Sequence, residues 1–143
     1  MSAMFGKHPN SKAVDHFRKL GRFSQDSPKY KETLLEVIRF AKEAIRKNKS
    51  DGDAHVLLAN AYYLASLMDF PSDNYSRYLP LAAAVIFEWK STPMYTKAKD
   101  IGDKVYYGVL EAINREIPEW MGIAKPEGTL KEIHLRYYQQ ALV

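Results

Sequence analysis

The sequence predicts an all-α domain of about six helices in antiparallel hairpins, and three observations support this fold class. Apolar residues recur at the spacing of an α-helix in several segments. Polar capping residues and prolines mark where helices begin and end. No segment shows the apolar–polar alternation and short turns of a β-hairpin. We therefore expect residues 1–10 to form a flexible lead-in and residues 11–143 to form a single helical domain.

The first two helices follow from local capping signals. Ser11 can cap a first helix over about residues 12–20. Ser27 followed by Pro28 predicts the start of a second helix. The serine side chain accepts a free backbone N–H, and proline lacks the N–H that a first turn leaves unpaired. We expect this helix to run to about Asn48, with one apolar stripe facing the core.

A polar turn at residues 48–52 separates the second helix from a third, which is the most apolar helix of the chain. Either Asp51 or Asp53 can cap this helix, which should span about residues 54–68. It has apolar residues on nearly every side. A helix without a polar face predicts a buried, central position in the fold.

The remaining helices are separated by segments rich in proline and polar residues. We expect residues 70–78 to form a loop and residues 79–90 a fourth helix, with Pro80 in its first turn. A cap followed by proline at residues 91–93 predicts a fifth helix that ends near Ile117. Thr129 can cap a last helix that ends near Ala141.

The composition limits the classes of protein that this chain can belong to. It has no cysteine, which excludes disulfides, thiolate catalysis and cysteine-ligated zinc. The longest apolar run, residues 79–87, is much shorter than the roughly 18–20 residues of a membrane-spanning helix. We therefore expect a soluble cytoplasmic protein without a membrane partner. Residues 1–50 hold 12 Lys and Arg against 5 Asp and Glu, so the front of the chain is basic.

Small and large residues follow one another in a regular order around the turn between the second and third helices. Ala44 closes the second helix, and Leu58, Ala59 and Tyr62 follow in the third. In this spacing the junction resembles a tetratricopeptide repeat, with His55 at the position of the family's tryptophan. The resemblance implies a right-handed superhelix of stacked helical hairpins. A generic helical bundle is the alternative.

The resemblance also implies a binding groove, because first-helix side chains line the inner face of such repeats. Carried over to this sequence, the groove residues are Asp53, Val56, Asn60, Tyr63 and Leu64. In family members an asparagine at the position of Asn60 hydrogen-bonds an extended peptide or its terminal carboxylate. A full carboxylate clamp also needs cations on flanking helices, where this chain has Thr96 and Asp100.

No catalytic or metal-binding motif accompanies these features. The histidines lack the helical spacing of paired ligands, and there is no Gly-rich phosphate loop or nucleophile elbow. We therefore expect a non-catalytic adaptor that uses no cofactor or metal and binds a peptide segment or a partner protein. Self-association as a homodimer is left open.

The alternative function is nucleic-acid binding through the basic front of the chain. Neutralisation of a phosphate backbone together with aromatic stacking would use such residues. Phe17, Phe23 and Tyr30 are interleaved with the candidate cations, which are Arg18, Lys19, Arg22, Lys29 and Lys31.

Overall fold

A computed structural model describes residues 8–68, 72–90, 99–116 and 130–143. These residues form six helices and no strand, which confirms the all-α prediction. None of the helices within these ranges is long and apolar enough to cross a membrane. The helices are α1 (Ser11–Leu20), α2 (Pro28–Lys47), α3 (Gly52–Leu67), α4 (Ser72–Lys90), α5 (Lys99–Glu116) and α6 (Leu130–Leu142).

Side-chain caps begin α2 and α3 as their sequences predict. The Ser27 hydroxyl accepts the Tyr30 backbone N–H at 3.2 Å, and Pro28 is the first residue of α2. Asp51 rather than Asp53 caps α3, since its carboxylate accepts the Ala54 N–H at 3.0 Å. Each cap pairs one of the backbone donors that a helix start leaves unbonded.

The start of α1 differs from the prediction. Ser11 is already the first residue of the helix, and Asn10 occupies the cap position without a side-chain cap hydrogen bond. The Asn10 amide instead donates to the Asp51 carboxylate, 3.2 Å from one oxygen and 3.3 Å from the other. The prediction that Ser11 caps α1 was therefore wrong, because a tertiary contact orders the chain there.

The segment expected to be a loop at residues 70–78 is largely helical. Because α4 already begins at Ser72, Pro80 lies inside the helix and not in its first turn. An interior proline removes one helical hydrogen bond and costs about 3 kcal/mol or more. Its neighbours Leu79 and Ala82 are fully buried. Burial of the apolar half of α4 therefore outweighs the poor local helix propensity.

The predicted cap at residues 91–93, the end of the fifth helix at Ile117 and the cap at Thr129 lie outside the described residues. Within the described part, α5 ends at Glu116 and α6 begins at Leu130, and α6 ends at Leu142, one residue beyond the prediction.

Helix α3 lies at the centre of the helical packing. Helix α3 contacts α1, α2, α4 and α5, and its small and apolar residues are buried along its length, as its apolar sequence predicts. Helix α2 packs against both α1 and α3, and α4 packs against both α3 and α5. Helix α6 packs mainly against α4 and also touches α2. The last helix thus bridges α4 and α2.

Candidate functional site

A cleft of 380 Å³ lies where α1, α3 and α5 meet. Its volume falls within the range of small-ligand sites, roughly 300–1,000 Å³. Three of the predicted groove residues, Asp53, Val56 and Asn60, line it from α3. They lie at intervals of three and four residues, which puts them on one helix face. The other lining residues are Val14, Phe17, Arg18, Leu57 and Ile101.

The cleft is apolar, with a few polar groups at defined places. Val56 is buried at its base, and Ile101 on α5 is 59% exposed at its edge. Asn60 is half-buried, and its amide makes no hydrogen bond within the part of the chain that the structure describes. An amide that points into an apolar cleft is a donor and acceptor available to a ligand.

The other two predicted groove residues lie elsewhere along α3. The Tyr63 ring faces Gly108 on α5, so that a Cβ atom at Gly108 would be 3.8 Å from the ring. Leu64 lines a second cleft, of 520 Å³, together with the end of α1 and the start of α2. The remaining residues of this second cleft are Phe17, Arg18, Leu20, Gly21, Phe23, Gln25 and Tyr30. We refer to the two as the α1/α3/α5 cleft and the α1/α2/α3 cleft.

The five predicted basic residues all lie on the surface around the α1–α2 connection. The side chains of Arg18, Lys19, Arg22, Lys29 and Lys31 are exposed. Only Arg18 lines the clefts, and it lines both of them. Among the aromatic residues near these cations, Tyr30 is buried. Burial raises the pKa of the Tyr30 phenol, and the hydrogen bond with Gln25 partly opposes this shift. The Tyr30 ring is therefore not available to stack on a base.

The flanking positions considered for a carboxylate clamp do not add cations to the site. Asp100 is exposed on α5, and Thr96 lies outside the described residues. Arg18, which the groove carried over from the resemblance did not include, is the cation that the fold brings to the α1/α3/α5 cleft.

A buried histidine connects α3 to α6, and sequence reasoning did not find this contact. His55 is fully buried, with Nδ1 2.8 Å from the Asp51 carbonyl oxygen and Nε2 2.7 Å from the Tyr138 hydroxyl. A carbonyl can only accept, so Nδ1 carries the proton and Nε2 accepts the Tyr138 O–H. The partners are far apart in sequence, and only the apolar setting of a lone histidine on the third helix hinted at a buried role.

The environment of this pair favours the neutral form of both groups. Burial lowers the pKa of His55, although the hydrogen bond to the Asp51 backbone and the charges of Glu88 and Asp51 oppose this shift. Burial, together with the negative charge of Glu88, raises the pKa of Tyr138 to about 12. The pair is therefore a neutral hydrogen bond that fixes α6 against α3.

The end of α6 is held by three further side chains. Tyr62 donates to the Ala141 carbonyl at 2.7 Å, and Lys42 donates to the Val143 carbonyl at 2.7 Å. Arg46 donates to the Leu142 carbonyl. The last carbonyls of a helix lack partners within it, and cations there also interact favourably with the helix dipole. These contacts hold the end of α6 against α2 and α3.

The described residues contain no group of three or more His, Asp and Glu side chains that could hold a metal ion. The clefts instead offer apolar walls, two amides, one carboxylate, one phenol and one guanidinium. Comparison of the chain with protein-family models, curated proteins and solved structures finds no match.

Proposed function

We propose that this chain is a cytoplasmic, non-catalytic protein-interaction module that binds a peptide segment of a partner protein in the α1/α3/α5 cleft. The observation that carries the proposal is the position of Asp53, Val56 and Asn60, which line this cleft from one face of α3. A peptide needs apolar contacts for its side chains and donors and acceptors for its backbone. Val56 and Ile101 offer the former, and the Asn60 amide offers the latter.

We further propose that α1 to α5 are a divergent tetratricopeptide-like array. In such arrays the first helices of successive hairpins lie side by side and form the inner face. The contacts of α3 with both α1 and α5 are consistent with this arrangement. Helix α6 departs from it by packing against α4 and α2, so the proposed array has a closed end at this side.

The test is selection of peptides from a displayed random library, followed by measurement of their affinities in solution. Ile101→Glu places a charge at the edge of the cleft, on a residue that is 59% exposed, so folding should be unaffected. We expect selected peptides to bind this variant at least about tenfold more weakly, as for loss of an interface anchor. Asn60→Ala should also weaken binding.

The matched control is Tyr107→Ser, which removes a side chain that is 65% exposed on the same helix and lines neither cleft. This variant should bind the peptides as the wild type does. Selection of no peptide, or equal affinity for Ile101→Glu and the wild type, would refute the proposed site.

Nucleic-acid binding is the second candidate, and the observation that favours it is the exposure of all five cations around the α1–α2 connection. A protein that binds through these residues should bind an oligonucleotide at low salt and lose affinity steeply as salt rises. Neutralising Arg18, Lys19 and Arg22 together should reduce the slope of that dependence. Absence of binding to single- and double-stranded oligonucleotides at low salt would exclude this function.

A further inference from the structure

The two clefts meet at Arg18, near the end of α1. The Arg18 side chain is exposed and lines both clefts together with Phe17. It forms no ion pair with any described residue. Side chains that line both clefts make them neighbouring parts of one surface, with a guanidinium at the boundary between two apolar regions.

The relative direction of α1 and α3 shows where the two clefts and Arg18 lie along these helices. Asn10, next to the start of α1, is hydrogen-bonded to Asp51 at the start of α3. At the opposite end, Leu20 of α1 and Leu64 of α3 line the same cleft. Helices α1 and α3 therefore run in the same direction. The α1/α3/α5 cleft lies nearer their starts and the α1/α2/α3 cleft nearer their ends, with Arg18 in between.

Cations outnumber carboxylates close to Arg18, where Asp15 is the exposed acidic residue within one turn on α1. Lys19 and Arg22 are exposed close to Arg18 in the chain, and Asp53 is the acidic residue among those that line the clefts. Asp53 is in the first turn of α3, at the far end from Arg22. A carboxylate placed between the clefts therefore meets cations, whereas an ammonium group there would be repelled.

We propose that the partner segment is acidic and amphipathic, with one apolar side chain in each cleft and a carboxylate between them on Arg18. This proposal rests on the proposed peptide-binding function. The planar guanidinium pairs with a carboxylate through two parallel N–H···O bonds, which gives geometric selectivity that a lysine would not give. The two apolar clefts contribute the buried area, and Arg18 fixes the register and orientation of the segment between them.

The experiment uses three displayed peptide libraries in which two leucines bracket one fixed residue, with varied spacing and random flanks. The fixed residue is Glu, Gln or Lys. The folded full chain selects from each library, and affinities of the selected peptides are measured by fluorescence polarisation at low and physiological salt. A labelled single-stranded oligonucleotide is measured alongside.

We expect the Glu peptides to bind most tightly and the Lys peptides most weakly. Their affinities should differ by about tenfold at low salt and by less at physiological salt. Arg18→Gln should remove this order, and Arg18→Glu should reverse it. Lys47→Glu is the matched control, because Lys47 is exposed at the other end of α2, lines neither cleft and carries the same charge change. It should leave the order unchanged.

Each other outcome overturns a defined statement. If peptides of all three libraries bind equally, peptide binding stands and the acidic partner is refuted. If the order survives in Arg18→Gln, the contact between the carboxylate and Arg18 is refuted. If no peptide binds, the proposed function fails as well. If the oligonucleotide binds more tightly than the Glu peptides and Arg18→Gln reduces only that binding, the surface recognises nucleic acid.

Discussion

Replacing Gly102 with alanine should destabilise the protein, because α5 packs directly on the ring of Trp89 in α4 at this glycine. A Cβ atom at Gly102 would lie 2.1 Å from Cη2 and 2.2 Å from Cζ2 of Trp89. Ordinary contact between carbon atoms is about 3.5–4.0 Å. Trp89 is fully buried, so its ring cannot turn into solvent to make room. The two helices would have to separate by about 1.5 Å, the difference between these distances.

Two opposing effects determine the size of the change. Overpacking a well-packed core costs about 1–3 kcal/mol, and a clash with a large buried ring belongs at the upper end. Alanine is favoured over glycine inside a helix by about 1 kcal/mol, which offsets part of this loss. The net loss in free energy of unfolding is then about 2 kcal/mol. For 143 residues it corresponds to a fall in Tm of about 6 °C.

Gly108 in the same helix gives the control. A Cβ atom at Gly108 would be 3.8 Å from the nearest Tyr63 atom, which is ordinary contact. Gly108→Ala should therefore raise the free energy of unfolding by about 0.5–1 kcal/mol through helix propensity alone. Thermal and denaturant unfolding followed by far-UV circular dichroism measure both variants. If Gly102→Ala proves as stable as Gly108→Ala, the close packing of α5 on Trp89 is refuted.

Two further predictions concern how α6 is held. Burial depresses the pKa of His55 below its ordinary 6.5, so the unfolded chain takes up a proton that the folded chain excludes, and stability should fall as pH drops below 6.5. The free energy of unfolding should fall by at most about 1.4 kcal/mol per pH unit. Denaturant unfolding between neutral and mildly acidic pH should show a smaller fall for His55→Gln than for the wild type. Equal falls for the two proteins would refute the buried neutral histidine. Tyr62→Phe should lower the free energy of unfolding by about 1–3 kcal/mol, since the buried Ala141 carbonyl loses its 2.7 Å partner. The same measurement checks it, and an unchanged midpoint would show that this hydrogen bond does not hold α6.

Features that depend on neighbouring residues could be predicted from the sequence. The Ser27–Pro28 helix start and the buried character of α3 were confirmed, because capping and apolar periodicity act within a few residues. The helical spacing of Asp53, Val56 and Asn60 likewise puts them on one face of α3 whatever surrounds it. That Arg18 and Ile101 meet this face depends on how α1 and α5 pack, and no local pattern encodes it.

The features that only the tertiary structure decided depend on contacts between residues far apart in the chain. Local propensity predicted a loop before Pro80, but burial of the following apolar residues outweighs the cost of an interior proline. The bond between His55 and Tyr138 joins residues 83 positions apart and links α6 to α3. By itself the sequence thus determined an all-helical fold and the face of α3 that Asp53, Val56 and Asn60 share. Packing between distant segments decided which cation shares that face, because such contacts form only when the whole core is assembled.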